Sequence, residues 1–134
     1  QADHAGTTPM ARRRDGFLAA AEYALSPRDL VVQQQATITS SSSEATILTS
    51  VSGYHLDLTS LDLTNATGTA VTVTIKDSTA GTTRAIYDLA ANGGIAKTFP
   101  TPFVQAAATG NNWTATLSNA TTTVHFTTQA CKMP

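Results

Sequence analysis

The side chains that could carry acid–base or nucleophilic chemistry are thinly spread along this chain. Its histidines are His4, His55 and His125, and its single cysteine is Cys131. A serine or cysteine nucleophile needs a base held within hydrogen-bond reach, and no local motif such as a Gly-x-Ser-x-Gly elbow is present. His55 and His125 alternate with apolar neighbours, so both are expected on the outer faces of strands. We therefore predict no catalytic residue and, without a Cys/His cluster, no metal site.

Carboxylate pairs could support glycosidase chemistry if two of them faced each other across a cleft. Asp57 and Asp62 are close in sequence, and Asp77 and Asp88 could oppose each other around a hairpin. Asp57 is expected on a solvated strand face, and Asp77 is expected to open a turn, a common role for aspartate. The sequence therefore predicts a protein that is not an enzyme and has no cofactor.

The densest charge cluster consists of three consecutive arginines, Arg12, Arg13 and Arg14. Guanidinium groups form bidentate contacts with carboxylates and phosphates. Apolar side chains that could anchor a contact follow at Phe17, Leu18 and Tyr23. The cluster is either a solvated tail or a docking element, and we predict that these six residues bind another protein. Nucleic acid is not the expected partner, because three arginines support only weak, salt-sensitive binding.

Carbohydrate recognition would use asparagine sequons or exposed aromatic platforms. Asn-x-Thr triplets begin at Asn65, Asn112 and Asn119, but such triplets arise by chance in a threonine-rich chain. Trp113 alternates in phase with Ala115 and Leu117, which predicts a core position rather than a sugar-stacking surface. Aromatic residues make up only 6% of the chain, which is few for a sugar-binding module.

The composition indicates one β domain. The chain has 134 residues, room for a single domain with a modest core. Threonine, which favours extended backbone, accounts for about a fifth of it, whereas charged residues account for 13%. The net charge of -1 gives no reason to expect a nucleic-acid or membrane-surface partner. The chain also lacks an apolar run of about 20 residues that could span a bilayer.

A change in composition near residue 35 divides the chain into residues 1–34, an N-terminal arm, and residues 35–134, a β-sandwich domain. Residues 1–14 have little to bury and are expected to be disordered when free. Asp15 could cap a short helix over about 15–25, which Pro27 would end. Asp15 and Glu22 interrupt the apolar run, so a signal peptide is not expected. Residues 33–43 form either a linker or the start of an edge strand.

Alternating side chains predict a series of short strands after residue 43. The candidates are residues 44–51, 54–63 with a β-bulge near 59–60 or a break into two strands, 71–76, 83–89, 95–99 ended by Pro100, 113–117 and 122–126. Turns are predicted at 77–81 and at Asn92-Gly93, a strong hairpin signal. Seven or eight short strands predict an all-β fold, an antiparallel β-sandwich or jelly roll.

Four segments together resemble the small β-sandwich virion proteins of tailed bacteriophages, particularly capsid decoration (cement) proteins. They are the run from Val71 to Arg84, the turn at 92–94, the loop at 100–103 and the segment 111–118. The resemblance covers roughly residues 45–130. It implies a protein on the outer surface of the capsid, often a trimer, that clamps major capsid subunits through an arm that orders on binding. The family has no catalytic motif.

These observations lead to one principal hypothesis and two alternatives. The principal one is a virion structural protein whose partners are the major capsid protein and copies of itself, with a trimer expected. The first alternative is an accessory structural protein of the phage tail or head–tail junction. The second is a secreted carbohydrate-binding or adhesin domain. The principal hypothesis does not include a membrane as a partner.

Overall fold

The fold was analysed in a computed structural model that describes residues 30–134. Within this part the chain forms eight strands and the all-β prediction is confirmed. They are β1 (Val31–Thr39), β2 (Ala45–Leu48), β3 (His55–Asn65), β4 (Val71–Lys76), β5 (Thr83–Leu89), β6 (Gly94–Phe103), β7 (Trp113–Leu117) and β8 (Thr123–Met133). None of the residues described forms a helix long and apolar enough to cross a membrane.

The strands form two four-stranded sheets whose order is nested. One sheet has the order β1-β8-β3-β6 and the other β2-β7-β4-β5. The first strand therefore pairs with the last, the second with the seventh, the third with the sixth and the fourth with the fifth. A long antiparallel hairpin that rolls up on itself produces this arrangement, which is the jelly-roll form of the β-sandwich.

The core lies between the two sheets and follows from the alternation of side chains. In β4, Val71, Val73 and Ile75 are buried, and the residues between them are half-buried on the other face. Trp113 and Phe126 are the largest fully buried side chains. The core is completed by aliphatic residues from both sheets, including Ile38, Ile47, Leu48, Leu56, Leu58, Leu61, Leu63, Leu117 and Val124.

Two predicted irregularities are confirmed. Residues 55–65 form one strand, and its register against both neighbours shifts between Leu58 and Ser60, where the β-bulge was expected. The β5–β6 turn contains Asn92 with φ of 54°, the left-handed conformation that the Asn-Gly sequence favours. The glycine at position 94 is required by the close approach of β3, because a Cβ at this position would lie only 2.7 Å from the carbonyl oxygen of Leu63.

β6 and β8 extend well beyond their predicted bounds. The prediction that Pro100 ends β6 is wrong, because the strand continues through Pro100 and Pro102 to Phe103. Proline is tolerated there because β6 is the edge of its sheet, where a missing N–H breaks no ladder. β8 continues to Met133 rather than to residue 126. Of the two alternatives for residues 33–43, the edge strand is correct, since residues up to Thr39 belong to β1.

The predicted arm falls almost wholly outside the part of the chain that the structure describes. This applies to the helix expected over 15–25 and to the predicted protein-binding residues. The arm-binding prediction, and with it the division at residue 34, therefore stays a prediction.

Candidate functional site

A buried polar cluster lies where the long β6–β7 connection meets the end of the sandwich, and Gln105 is at its centre. Its side chain is only 2% exposed. The Oε1 atom accepts a hydrogen bond from the Leu56 backbone N–H at 2.6 Å. The Nε2 group donates to the carbonyl oxygens of Asp77 at 2.9 Å and Asn111 at 3.0 Å. One amide therefore links β3, the β4–β5 turn and the β6–β7 connection.

Two carboxylates hold the backbone of the same connection. Asp57 accepts a hydrogen bond from the N–H of Gln105 at 2.9 Å. Asp77, 2% exposed, accepts through Oδ2 from the N–H groups of Ala106 at 2.9 Å and Ala107 at 3.2 Å. The same oxygen forms an ion pair with Arg84 at 3.3 Å. We call Asp57, Asp77, Arg84 and Gln105 the polar latch.

Arg84 also binds the end of β6 and the residue that follows it. Its Nη2 donates to the carbonyl oxygen of Val104 at 3.1 Å. Its guanidinium lies 5.1 Å from the ring centroid of Phe103, within cation–π range. Phe103 in turn contacts Trp113, with ring centroids 5.8 Å apart. The latch therefore joins the β6–β7 connection to the aromatic part of the core.

The arrangement fits a structural role better than an acid–base role. Asp57 accepts one backbone N–H of the β6–β7 connection and Asp77 accepts two, so these carboxylates serve to fix a loop. The shallow open depression beside Asp77 and Arg84 is lined by small residues of two loops. Within residues 30–134, no three His, Cys, Asp or Glu side chains converge as a metal site would require.

The structure corrects one expectation about these carboxylates and refines another. Asp57 was expected on a solvated strand face, but it is 9% exposed. The reason is that the β6–β7 connection covers it and supplies the N–H of Gln105. Asp77 does precede a turn, as expected, but it also binds the neighbouring loop. Gln105 was not singled out in the sequence, where a glutamine between valine and three alanines carries no signal.

The predicted core position of Trp113 is confirmed, since its side chain is 0% exposed. Its Nε1 donates to the carbonyl oxygen of Leu56 at 2.6 Å. The ring is therefore not available as a sugar-stacking platform. His125 is exposed, as expected. His55 is half-buried, and its Nδ1 is enclosed without a hydrogen-bond partner among the residues described.

The three sequon asparagines have local structural roles. Asn65 is almost fully buried, and its amide donates to the carbonyl oxygens of Thr69 and Ala90. Asn112 accepts from the Ser50 N–H at 2.6 Å. Asn119 accepts from the backbone N–H of the threonine two positions later, as in an Asx turn. These contacts explain the asparagines without glycosylation.

Glu44 has the one carboxyl group among those described whose pKa is clearly lowered. The main cause is the hydrogen bond from the Thr114 hydroxyl, followed by the Ala80 N–H and the charge of Lys76, while partial burial opposes them. The Ala80 N–H lies 3.0 Å from Oε2. Glu44 thus connects the start of β2 to the β4–β5 turn.

This lowered pKa predicts a pH-dependent contribution to stability. A carboxyl with a depressed pKa in the folded state stabilises it above the unfolded pKa, and the contribution is lost as pH falls through the folded pKa. We expect Glu44→Gln to reduce the free energy of unfolding at pH 7 by at most about 1 kcal/mol, because the group is solvent-accessible. The difference from wild type should shrink below about pH 5. Urea unfolding of both proteins from pH 7 to pH 3 measures it, and a pH-independent difference would contradict the assignment.

The remaining candidate surfaces are the edges of the two sheets, which pair with no further strand among residues 30–134. β1 and β6 form the edges of one sheet, and β2 and β5 form the edges of the other. Ile86 on β5 is 62% exposed, the highest value among the exposed large hydrophobic residues of the described part. Unpaired edges and exposed apolar side chains are features of protein–protein contacts.

Comparison with known proteins gives a likeness of fold only. No protein-family model matches the chain. No curated protein matches its sequence.

Solved structures, in contrast, match most of the described domain. A chain of the acid-stable capsid of the Helicobacter pylori bacteriophage KHP30 is 10% identical, with a TM-score of 0.52, 76% of this chain covered and 87% of that one. The core of Drosophila NLP is 14% identical, with a TM-score of 0.50 and coverage of 78% and 99%. A Bacillus endospore appendage protein from disulfide-linked pili is 20% identical, with a TM-score of 0.49 and coverage of 78% and 90%. The fold thus resembles that of a phage capsid protein, among others.

Proposed function

We propose that this chain is a virion structural protein without enzymatic activity, which binds the shell of a phage capsid and stabilises it. The observation that carries the proposal is the nested jelly-roll order of the sheets in this chain, together with the likeness of its fold to that of the KHP30 capsid chain. Jelly rolls occur in viral capsid proteins, where a rigid sandwich presents loops and edges to neighbouring subunits. Fold alone does not fix function, so the proposal also depends on the chemistry of the domain.

That chemistry supports assembly rather than catalysis. Most buried polar side chains of the described domain hold backbone groups, as in the polar latch. Charged residues make up only 13% of the chain, and threonine hydroxyls keep the strand faces hydrated. A rigid, nearly neutral module of this kind is suited to repeated placement on a symmetric shell, where many weak contacts add up through avidity.

The finer proposal is a decoration protein on the outer surface of the capsid, anchored by its N-terminal arm. The three arginines at 12–14 would bind carboxylates of the major capsid protein, and Phe17, Leu18 and Tyr23 would supply apolar anchors. An arm that orders on its partner loses conformational entropy but can cover a wide surface. A trimer is proposed for the capsid-bound protein, whose neighbouring copies are held by the shell, because decoration proteins of this type often form trimers.

Deletion of residues 1–30 tests the arm directly. β1 begins at Val31, so the deletion removes no described strand. We expect the shortened protein to keep its β-sheet circular dichroism and to lose capsid binding. The measurement is co-sedimentation of full-length and shortened protein with capsids that lack this chain. Full-strength binding by the shortened protein would contradict the arm proposal.

Two variants separate the charge from the apolar anchors. Replacing Arg12, Arg13 and Arg14 by alanine should weaken binding most at low salt, because ionic contacts between exposed groups are screened as salt rises. Replacing Phe17, Leu18 and Tyr23 by alanine should weaken binding to a similar extent at every salt concentration. Equal salt dependence in both variants would show that the arginines do not make the ionic contacts.

The alternatives predict different locations and ligands. An accessory protein of the tail or head–tail junction would appear at that position in images of labelled virions. A secreted carbohydrate-binding or adhesin domain would bind defined sugars on a glycan array. The burial of Trp113 counts against a binding platform built on that ring.

A further inference from the structure

We propose that β5 is a pairing edge for a second copy of this chain, with the two β5 strands antiparallel about a two-fold axis at Ile86. The inference concerns the chain alone and holds whether or not the protein belongs to a virion. An edge strand leaves a row of backbone N–H and C=O groups without partners, and proteins usually block such rows. β5 lacks most of the usual blocks.

The other three edges are less suited to pairing. β6 carries Pro100 and Pro102, which cannot donate hydrogen bonds, and an exposed lysine at position 97. β2 has only four residues and a shift in register. β1 also lacks proline, glycine and charged residues, but apart from Val31 at its start its exposed side chains are glutamine and threonine, so pairing there would cover little apolar surface.

β5, in contrast, has seven residues without proline, glycine or lysine. It pairs with β4 in steady register from Leu89 to Ala85, and its register shifts only at its start, between Ala85 and Thr83. No described strand lies on its other side. Ile86 is exposed in the middle of this stretch. Covering it with an identical side chain would remove apolar surface from water.

The charges around Ile86 favour a second copy over an unrelated peptide. In a two-fold antiparallel pair centred on Ile86, Asp88 of each copy lies opposite Arg84 of the partner subunit. Asp88 is exposed, and Arg84 uses only two of its nitrogens in the bonds to Asp77 and Val104. Because a guanidinium has five N–H donors, Arg84 can donate hydrogen bonds to a further carboxylate. The edge is therefore complementary to itself in charge as well as in backbone.

Disulfide cross-linking tests the proposed register. Residues directly opposite in an antiparallel pair have Cα atoms about 4.5–5.5 Å apart, a separation that a disulfide can bridge. We expect full-length Ile86→Cys, made in a Cys131→Ser background, to form a disulfide-linked dimer on mild oxidation. Met133→Cys in the same background is the control, since Met133 is also exposed but lies at the end of β8. Absence of cross-linking in Ile86→Cys, or equal cross-linking in the control, would overturn the proposal.

Sedimentation equilibrium of the full chain tests the affinity. Wild type should be dimeric at high concentration, and Ile86→Asp should associate at least about tenfold more weakly because it places two carboxylates at the axis. Asp88→Arg should weaken association similarly, and Met133→Asp should not. Unchanged unfolding midpoints would show that the variants remain folded. Two results would overturn the proposal. One is a wild type that stays monomeric, which is the result expected if residues 1–29 cover β5 in their own chain. The other is a trimer whose association Ile86→Asp does not change.

Discussion

Replacing Trp113 by alanine is expected to reduce the free energy of unfolding by about 3–5 kcal/mol, the largest effect of any single substitution considered. The indole is fully buried, packs against Phe103 and donates a hydrogen bond to the Leu56 carbonyl oxygen. Alanine would leave a cavity and an unpaired buried acceptor. A domain of this size has a total stability of about 5–15 kcal/mol, so the variant should lose a large share of its stability and unfold at a clearly lower denaturant concentration.

Trp113→Phe is the matched control, because it keeps an aromatic ring and removes the donor. Its free energy of unfolding should lie between those of wild type and Trp113→Ala, roughly 1–3 kcal/mol below wild type. Chemical denaturation of the three proteins, followed by circular dichroism, measures both effects. A loss below about 1 kcal/mol for Trp113→Ala would show that the ring is not packed in the core as described.

Replacing Gln105 by leucine is expected to reduce the free energy of unfolding by about 2–4 kcal/mol. Leucine has a similar volume, so the substitution tests the hydrogen bonds rather than the packing. It would leave the Leu56 N–H without its acceptor and the carbonyl oxygens of Asp77 and Asn111 without their donor. The three contacts share one side chain, so their contributions should not simply add.

Gln35→Leu is the control for this substitution, because Gln35 is exposed on β1. It should change stability by less than about 0.5 kcal/mol. Hydrogen exchange adds a local measurement: in Gln105→Leu the N–H groups of Ala106 and Ala107 should exchange faster than in wild type. Unchanged exchange and stability would contradict the polar latch as the element that fixes the β6–β7 connection.

The sequence was sufficient to predict the parts of the fold that depend on local pattern. Alternation identified β4 and β5 with their observed bounds, and the odd step at residues 59–60 identified the bulge. Asn92-Gly93 marked the hairpin because few residues adopt a positive φ readily. These features are encoded by neighbours in sequence, so a single chain reveals them.

The features that the sequence did not predict depend on contacts between residues that are distant in the chain. Proline signalled the end of β6, but the position of that strand at a sheet edge decides whether proline is tolerated, and an edge is a property of the whole fold. Burial of Asp57 likewise depends on Gln105, which is 48 residues away. The polar latch could not be predicted, since a buried glutamine and an exposed one look alike in sequence.

The proposed function and the proposed β5 pairing concern different surfaces of the molecule. Capsid binding is assigned to the N-terminal arm, through the arginines at 12–14 and the apolar residues Phe17, Leu18 and Tyr23, whereas self-association is assigned to β5. Ile86→Asp should therefore reduce self-association and leave the arm's contact intact. A variant that loses self-association but keeps capsid binding, or the reverse, therefore tests one proposal without the other.

The most direct test of the virion role is the composition of purified particles. Particles produced with this chain expressed from its natural locus would be purified on a density gradient, and their proteins quantified by mass spectrometry. The account predicts that the chain co-purifies with intact particles at a copy number comparable to that of the major shell protein. Its absence from particles while abundant in the same lysate would contradict a virion structural role.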